Sequence, residues 1–206
     1  MNRIEFLKRK VQELYQAQAP GREEWADWLF ANHIFLVSDE AASLAIRFDA
    51  NAEIAEAAGM LHDIADCVMK RSNPNHEMHT ENIATELLTE CKFEPSEIET
   101  IVTDAMRHHS CYSPQQSPKS LEGKVMATAD AVVHLTTDFY DHAVKDKLRN
   151  EDSGDVRQWV TAKLPRDLNN KIFFDIIREE VREAHDRLKE KYDSLDWVLE
   201  KKSAIL

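Results

Sequence analysis

A histidine and an aspartate lie next to each other in an apolar stretch of the chain, residues 52–69, which read AEIAEAAGMLHDIADCVM. Apolar residues in this stretch recur at steps of three or four, at Ile54, Ala58 and Leu61. That spacing predicts a helix with one buried face, and His62 falls on the same face. A polar side chain costs free energy there unless it is paired. The pair His62–Asp63 is therefore the first candidate for function.

The rest of the chain also has the composition of a helical protein. It contains 4 glycines and 6 prolines in 206 residues, too few for the many turns of an all-β protein. Apolar periodicity and turn residues predict further helices over 3–17, 22–47, 76–91, 95–109 and 121–139. We therefore expect an all-α fold, in which helices pack around one sizeable core.

The C-terminal part of the chain has a different character. The stretch from about 148 to 170 is charged and less regular, whereas apolar residues recur at steps of three or four from 173 to 199. This pattern predicts a long C-terminal amphipathic helix over 170–201. We expect a main domain with its N-terminal helix over 1–147 and a helical extension over 148–206. The extension would pack on the main domain or on a second subunit, which makes a homodimer one expectation.

The charge and the cysteines restrict the partners and the location. The net charge is −12, and an acidic surface repels a nucleic-acid backbone, so general nucleic-acid binding is not expected. A small phosphorylated substrate remains possible, because a metal or local cations override the global field. Cys67, Cys91 and Cys111 lack the paired spacing of a disulfide framework. With no stretch near the ~20 apolar residues of a membrane span, we expect a cytoplasmic protein without membrane association.

Two more polar residues fall on or beside the apolar faces of other predicted helices. They are His33 on the helix over 22–47 and Asp130 on the helix over 121–139. Together with His62 and Asp63 they supply two imidazoles and two carboxylates. Such a set satisfies a divalent transition metal, namely Mn, Fe, Co, Ni or Zn.

In this order the four residues resemble the motif of the HD superfamily of metal-dependent phosphohydrolases. The matching segments are AAGMLHDIAD around His62–Asp63 and KVMATADAVVHL around Asp130, with His33 upstream. The resemblance covers about residues 25–140. It implies a helical bundle in which these four residues hold a metal. It also implies a phosphomonoesterase or phosphodiesterase that attacks a small phosphorylated metabolite, such as a nucleotide, with metal-activated water.

Further histidines bear on the number of metal ions. His76 opens the segment HEMHTENIATELL, and His108 and His109 lie in AMRHHS. In the subset of the family with two metals, the resemblance implies that Asp63 bridges the ions. His76 and one of the other two, with His109 the better fit, would then hold the second ion. The alternatives are a helix cap or a contact to substrate phosphate, so one or two ions stay open.

Asp66 departs from the commonest form of the family, which has glycine and then a basic residue near this point. With Asp63 and His76 it is a catalytic candidate, either as a general acid/base or as a carboxylate that holds a histidine ligand, the alternative being an exposed charge at the helix end. Three basic residues near the same edge are candidates to neutralise a substrate phosphate, the alternative being surface charges. They are Lys70, Arg71 and Arg107.

Two other functions compete with hydrolysis. Some members of the superfamily are di-iron oxygenases with the same ligand arrangement, and the ligand set alone does not separate the two. The other alternative is a non-catalytic, metal-stabilised helical module that binds a partner through its C-terminal helix.

Overall fold

The computed structural model describes residues 2–149 and 151–194. These residues form helices and turns and contain no strand, which confirms the predicted all-α fold. The α-helices are α1 (Arg3–Gln16), α2 (Trp25–Asn32), α3 (Ile34–Arg47), α4 (Ala52–Leu61), α5 (His76–Glu90), α6 (Pro95–Glu99), α7 (Leu121–Thr136), α8 (Phe139–Lys147), α9 (Ser153–Arg166), α10 (Asp175–Glu180) and α11 (Arg182–Asp193). Tighter 3₁₀ turns cover Ile64–Cys67 and Pro114–Gln116, and wider π-helical turns cover Thr100–Met106 and Asp167–Lys171.

The chain divides into two compact units, Met1–Asp130 and Ala131–Leu206. The division falls inside α7, directly after Asp130. The predicted domain boundary after residue 147 stays a prediction, since compactness does not by itself define a domain that folds alone.

The core of the first unit is built around α4. Seven of its ten residues are buried: Ile54, Ala55, Ala57, Ala58, Gly59, Met60 and Leu61. Helix α3 approaches α4 very closely at Gly59, where an added Cβ would lie 2.9 Å from the Cα of Ser38 and 3.1 Å from the carbonyl oxygen of Val37. The missing side chain of this glycine therefore permits the tight packing of the two helices.

The two helices predicted around the site are interrupted where their polar residues lie. The helix predicted over 22–47 breaks at His33, whose φ of −133° and ψ of −58° leave the helical region. The helix predicted over 52–69 ends at Leu61, and Asp63 has a φ of −121°. Apolar periodicity continues through both breaks, so the pattern alone could not reveal them.

The C-terminal prediction needs correction over its described part. The stretch predicted to be irregular contains α9, and two helices replace the single helix predicted over 170–201. Phe174 is extended ahead of α10, and Val181 separates α10 from α11, which ends at Asp193. Residues 195–206 lie outside the described residues.

The second unit buries a polar cluster of its own. Asp167 is fully buried and accepts hydrogen bonds from the hydroxyl of Tyr140, at 2.7 Å, and from Nζ of Lys163, at 3.3 Å. Nδ1 of His134 lies 3.1 Å from the same carboxylate. Burial alone would raise the pKa of Asp167, but the charges of Lys163 and His134 hold that pKa well below its usual range.

One apolar segment bears on the membrane prediction. Trp25–Arg47 is long and apolar enough to cross a membrane, by length and composition only. In its most apolar window 44% of the residues are buried inside the fold. The buried core helices of soluble proteins pass the same test, so the segment is weak evidence for a membrane span.

Candidate metal centre

Side-chain atoms of the four predicted ligands converge in the first unit. Nε2 of His33 lies 3.4 Å from Nε2 of His62 and 3.2 Å from Oδ1 of Asp130. Nε2 of His62 lies 3.4 Å from Oδ2 of Asp63 and 3.7 Å from Oδ1 of Asp130. All four residues are buried, with exposed fractions between 1% and 7%.

A backbone carbonyl of α4 selects the tautomer of His62. Its Nδ1 lies 2.8 Å from the carbonyl oxygen of Gly59, so Nδ1–H donates and Nε2 keeps a lone pair. Burial lowers the pKa of His33, against the opposing effect of Asp130, which favours the neutral imidazole that binds metals. The chemistry of the donor set therefore fits a divalent transition metal.

The lone pair of His62 faces other acceptors. Its Nε2 and the oxygens of Asp63 and Asp130 are three acceptors within a few ångströms. Oδ2 of Asp63 also accepts from Arg71, and a proton on Nε2 of His33 can be donated to only one of the other two acceptors, whereas a cation in their midst binds all three. This balance of donors and acceptors is typical of a metal site rather than of a hydrogen-bonded core.

Arg71 borders this centre. Its Nη2 lies 2.5 Å from Oδ2 of Asp63 and also donates to Oδ2 of Asp66. Burial alone would raise the pKa of Asp63, but the charge of Arg71 outweighs that effect and holds the pKa well below its usual range. The side chain of Arg71 is 45% exposed, so part of it faces solvent.

Asp66 joins Arg71 to His76. Its side chain is 2% exposed, which contradicts the reading as an exposed helix-end charge. Nε2 of His76, the first residue of α5, lies 2.8 Å from Oδ1 of Asp66. The side chain of His76 is half-buried, so the pair lies at the edge of the site.

Of the pair His108–His109, His109 lies beside the centre. The centroid of its ring is 5.3 Å from that of His62. Its Nδ1 lies 2.6 Å from the carbonyl oxygen of Met106, three residues earlier, as Nδ1 of His62 does from that of Gly59. The π-helical turn over Thr100–Met106 ends three residues before it, and such turns are frequent at functional sites.

The other two predicted phosphate contacts lie elsewhere. Arg107 donates two hydrogen bonds to Glu81, at 2.6 and 2.7 Å, on the surface. Lys70 is exposed. Among the three basic candidates, Arg71 is therefore the one placed on carboxylates of the site.

Sequence reasoning missed Gly59 as a contributor to the site. Its carbonyl orients His62, and its missing side chain brings α3, which begins directly after His33, close to α4. A glycine three residues before a candidate ligand, inside an otherwise continuous helical pattern, was the available signal.

The comparisons with known proteins agree with this geometry. The family model of the HD domain matches residues 30–134, just over half of the chain and all four converging residues. No characterised protein matched the chain, and neither did any solved structure. Members of the matched family bind divalent metals and are generally hydrolases, the metal-dependent phosphohydrolases among them. Because the family model matches this segment and the segment contains the buried His/Asp cluster, this chain belongs to the HD-domain family.

Proposed function

We propose that the protein is a metal-dependent phosphohydrolase, a phosphomonoesterase or phosphodiesterase, that acts on a small phosphorylated metabolite such as a nucleotide. The observation that carries this proposal is the convergence of two imidazole nitrogens and two carboxylate oxygens at neighbouring distances of 3.2 to 3.7 Å. The cluster is buried and lies within the segment matched by the HD-domain family.

His33, His62, Asp63 and Asp130 would hold the ion, which we expect to be Mn, Fe, Co, Ni or Zn. When bound, such an ion lowers the pKa of a water molecule and polarises a phosphoryl oxygen. The hydrogen bond from Nδ1 of His62 to Gly59 keeps the ring of His62 in the orientation that presents Nε2.

Substrate binding is assigned to Arg71. Its guanidinium is planar and presents several N–H donors, the geometry that suits a phosphate group. One nitrogen is engaged with Asp63 and Asp66, while 45% of the side chain faces solvent. Its remaining N–H groups would then be available to a phosphate oxygen next to the centre.

Proton delivery is assigned to His76 and Asp66. Because Asp66 accepts the proton of Nε2 of His76, the exchanging atom of that imidazole is Nδ1. A ring protonated at both nitrogens can pass the proton at Nδ1 to the leaving oxygen of the substrate and become neutral, and the buried carboxylate stabilises the charged ring before the transfer. Asp66 then orients the ring without contacting the substrate.

The oxygenase alternative is less well supported. It needs a second iron ion, for which the resemblance assigns His76 and one of His108 and His109. In the structure Nε2 of His76 is hydrogen-bonded to Asp66. This contact favours the hydrolase over the oxygenase.

The experiment that tests the proposal joins metal analysis to a phosphoester screen. The protein as purified is analysed for bound metals and then assayed for phosphatase and phosphodiesterase activity with added Mn, Co, Ni and Fe. Asp63→Asn should lose the metal and reduce hydrolysis by at least about 10³-fold, or ~4 kcal/mol of barrier. Asp39→Asn changes an exposed carboxylate of α3 and is the matched control, expected to retain both. Full activity in Asp63→Asn would refute the proposed site.

A further inference from the structure

A single nitrogen atom of Arg71 is shared by two carboxylates. Nη2 lies 2.5 Å from Oδ2 of Asp63, and the same atom donates to Oδ2 of Asp66. A positive group between two carboxylates is the arrangement that a bridging cation would otherwise make. Here Nη2 of the guanidinium lies where such a cation would lie, in contact with Oδ2 of Asp63 and Oδ2 of Asp66.

The neighbouring donor is also engaged. Nε2 of His76 lies 2.8 Å from Oδ1 of Asp66, so that both oxygens of Asp66 are occupied, one by His76 and the other by Arg71. A second ion at Asp63 would have to displace Arg71 from two carboxylates. It would also have to draw His76 away from Asp66.

The balance of buried charge points the same way. Asp63, Asp66 and Asp130 are buried, at most 7% exposed, and together carry three negative charges when ionised. One divalent ion and one guanidinium supply three positive charges and neutralise them, with the histidines neutral. A second divalent ion beside Arg71 would leave two buried positive charges without counter-charges, which is costly in a low-dielectric site.

We infer that Arg71 takes the place of a second metal ion and thereby makes the centre mononuclear. The inference rests on the metal centre of the proposed function, but it does not depend on which reaction the centre catalyses. Removal of the guanidinium charge should open a second site, with Asp63 and Asp66 as its carboxylates and His76 as its imidazole.

The test is the number of ions bound per chain. The full-length protein is stripped with a chelator and titrated with Mn²⁺ by calorimetry. Elemental analysis of the loaded protein and electron paramagnetic resonance, which distinguishes isolated from spin-coupled Mn²⁺, complete the measurement. Wild type should bind one ion with an uncoupled spectrum. Arg71→Met keeps an unbranched side chain without charge and should bind two, with a coupled spectrum.

Matched variants separate this effect from a general loss of positive charge. Arg107→Met removes another surface arginine that is paired with a carboxylate, Glu81, and should leave one ion. Adding Asp66→Asn to Arg71→Met should return the count to one, because the second site loses a carboxylate. Arg71→Gln is the second neutral variant, should Arg71→Met fold poorly by circular dichroism.

Each outcome decides the inference. Two ions in the wild type would overturn it, and so would a single ion in a folded Arg71→Met or Arg71→Gln protein. A wild type that binds no ion would remove the metal centre and the inference together. If the wild type bound one ion but hydrolysed no phosphoester, the proposed function would be refuted. The inference would then still be decided by the number of ions that the variants bind.

Discussion

Each of the two units buries a cluster of histidine and aspartate, and the clusters differ in how the carboxylates are satisfied. In the second unit Asp167 accepts hydrogen bonds from Tyr140 and Lys163, which are donors. In the first unit Oδ2 of Asp63 accepts from Arg71, but Oδ1 of Asp130 lies 3.7 Å from Nε2 of His62, which is itself an acceptor. The same residue types therefore build a hydrogen-bonded polar core in one unit and a donor set that fits a cation in the other. The balance of donors and acceptors, rather than the residue list, distinguishes them.

The largest expected effect separates the clusters by their response to metal. Saturation of wild type at 1,000 times the dissociation constant should stabilise the fold by about 4 kcal/mol. For a chain of this length that corresponds to a rise in Tm of roughly 8–16 °C. Asp130→Asn should lose this rise, because the ion loses one of its two charged ligands. Thermal unfolding with and without chelator measures the difference.

The control for this prediction is Asp138→Asn, which changes an exposed aspartate directly ahead of α8. It should keep the full response to metal. If the chelator lowered the Tm of Asp130→Asn by as much as it lowers the Tm of the wild type, the ion would lie elsewhere in the molecule.

The second effect concerns the stability of the polar cluster around Asp167. Asp167→Asn removes the charge that pairs with Lys163 and His134 inside the second unit. Breaking a buried pair of this kind costs about 3 kcal/mol or more. The loss should appear in the metal-free protein as well, because it comes from the pairing of charges inside this cluster.

The pH dependence of the same variant sharpens the test. The pKa of Asp167 is depressed in the folded chain, so the folded state favours its ionised form. Its stabilising contribution is fully present above the unfolded pKa, about 3.9, and is lost as the pH falls below that value. The difference in unfolding free energy between wild type and Asp167→Asn should therefore shrink from about pH 5 downwards. Asp155→Asn, at an exposed position of α9, should show no such trend. A difference that is constant with pH would contradict a charged role for Asp167.

Much of the fold and the centre of the site could be predicted from the sequence. Helical class, the convergence of His33, His62, Asp63 and Asp130, and the start of α5 at His76 followed from apolar spacing and from the order of the motif. Periodicity reports which face of a helix is apolar and is insensitive to backbone angles. The breaks at His33 and after Leu61 therefore stayed hidden.

The basic residues around the candidate metal ligands could not be placed from the sequence, because their contacts do not follow from the spacing of residues along the chain. Arg71 follows Asp63 by eight residues across an irregular turn, so its contact with both Asp63 and Asp66 is a result of the loop conformation. Arg107 had an equal claim by sequence position, but it pairs with Glu81. Similarly, the apolar repeat of the C-terminal part continued through Val181, where α10 and α11 separate.

Gly59 carries the smallest of the expected effects and connects packing to the metal centre. In Gly59→Ala the new Cβ would lie 2.9 Å from the Cα of Ser38, a backbone atom that moves only with α3. Overpacking of this kind costs about 1–3 kcal/mol. Because His33 directly precedes α3 and His62 directly follows α4, a shift between these helices changes the distance between the two imidazoles. We expect the affinity for Mn²⁺ to fall about tenfold, or ~1.4 kcal/mol. Gly154→Ala is the control, since its Cβ would meet only the side chain of Asp152, at 3.2 Å, at the start of α9. An unchanged affinity in Gly59→Ala, together with a lower Tm, would show that the ligand geometry tolerates movement of α3. In that case the local turns at His33 and His62, rather than the packing of the two helices, would set the positions of the ligands.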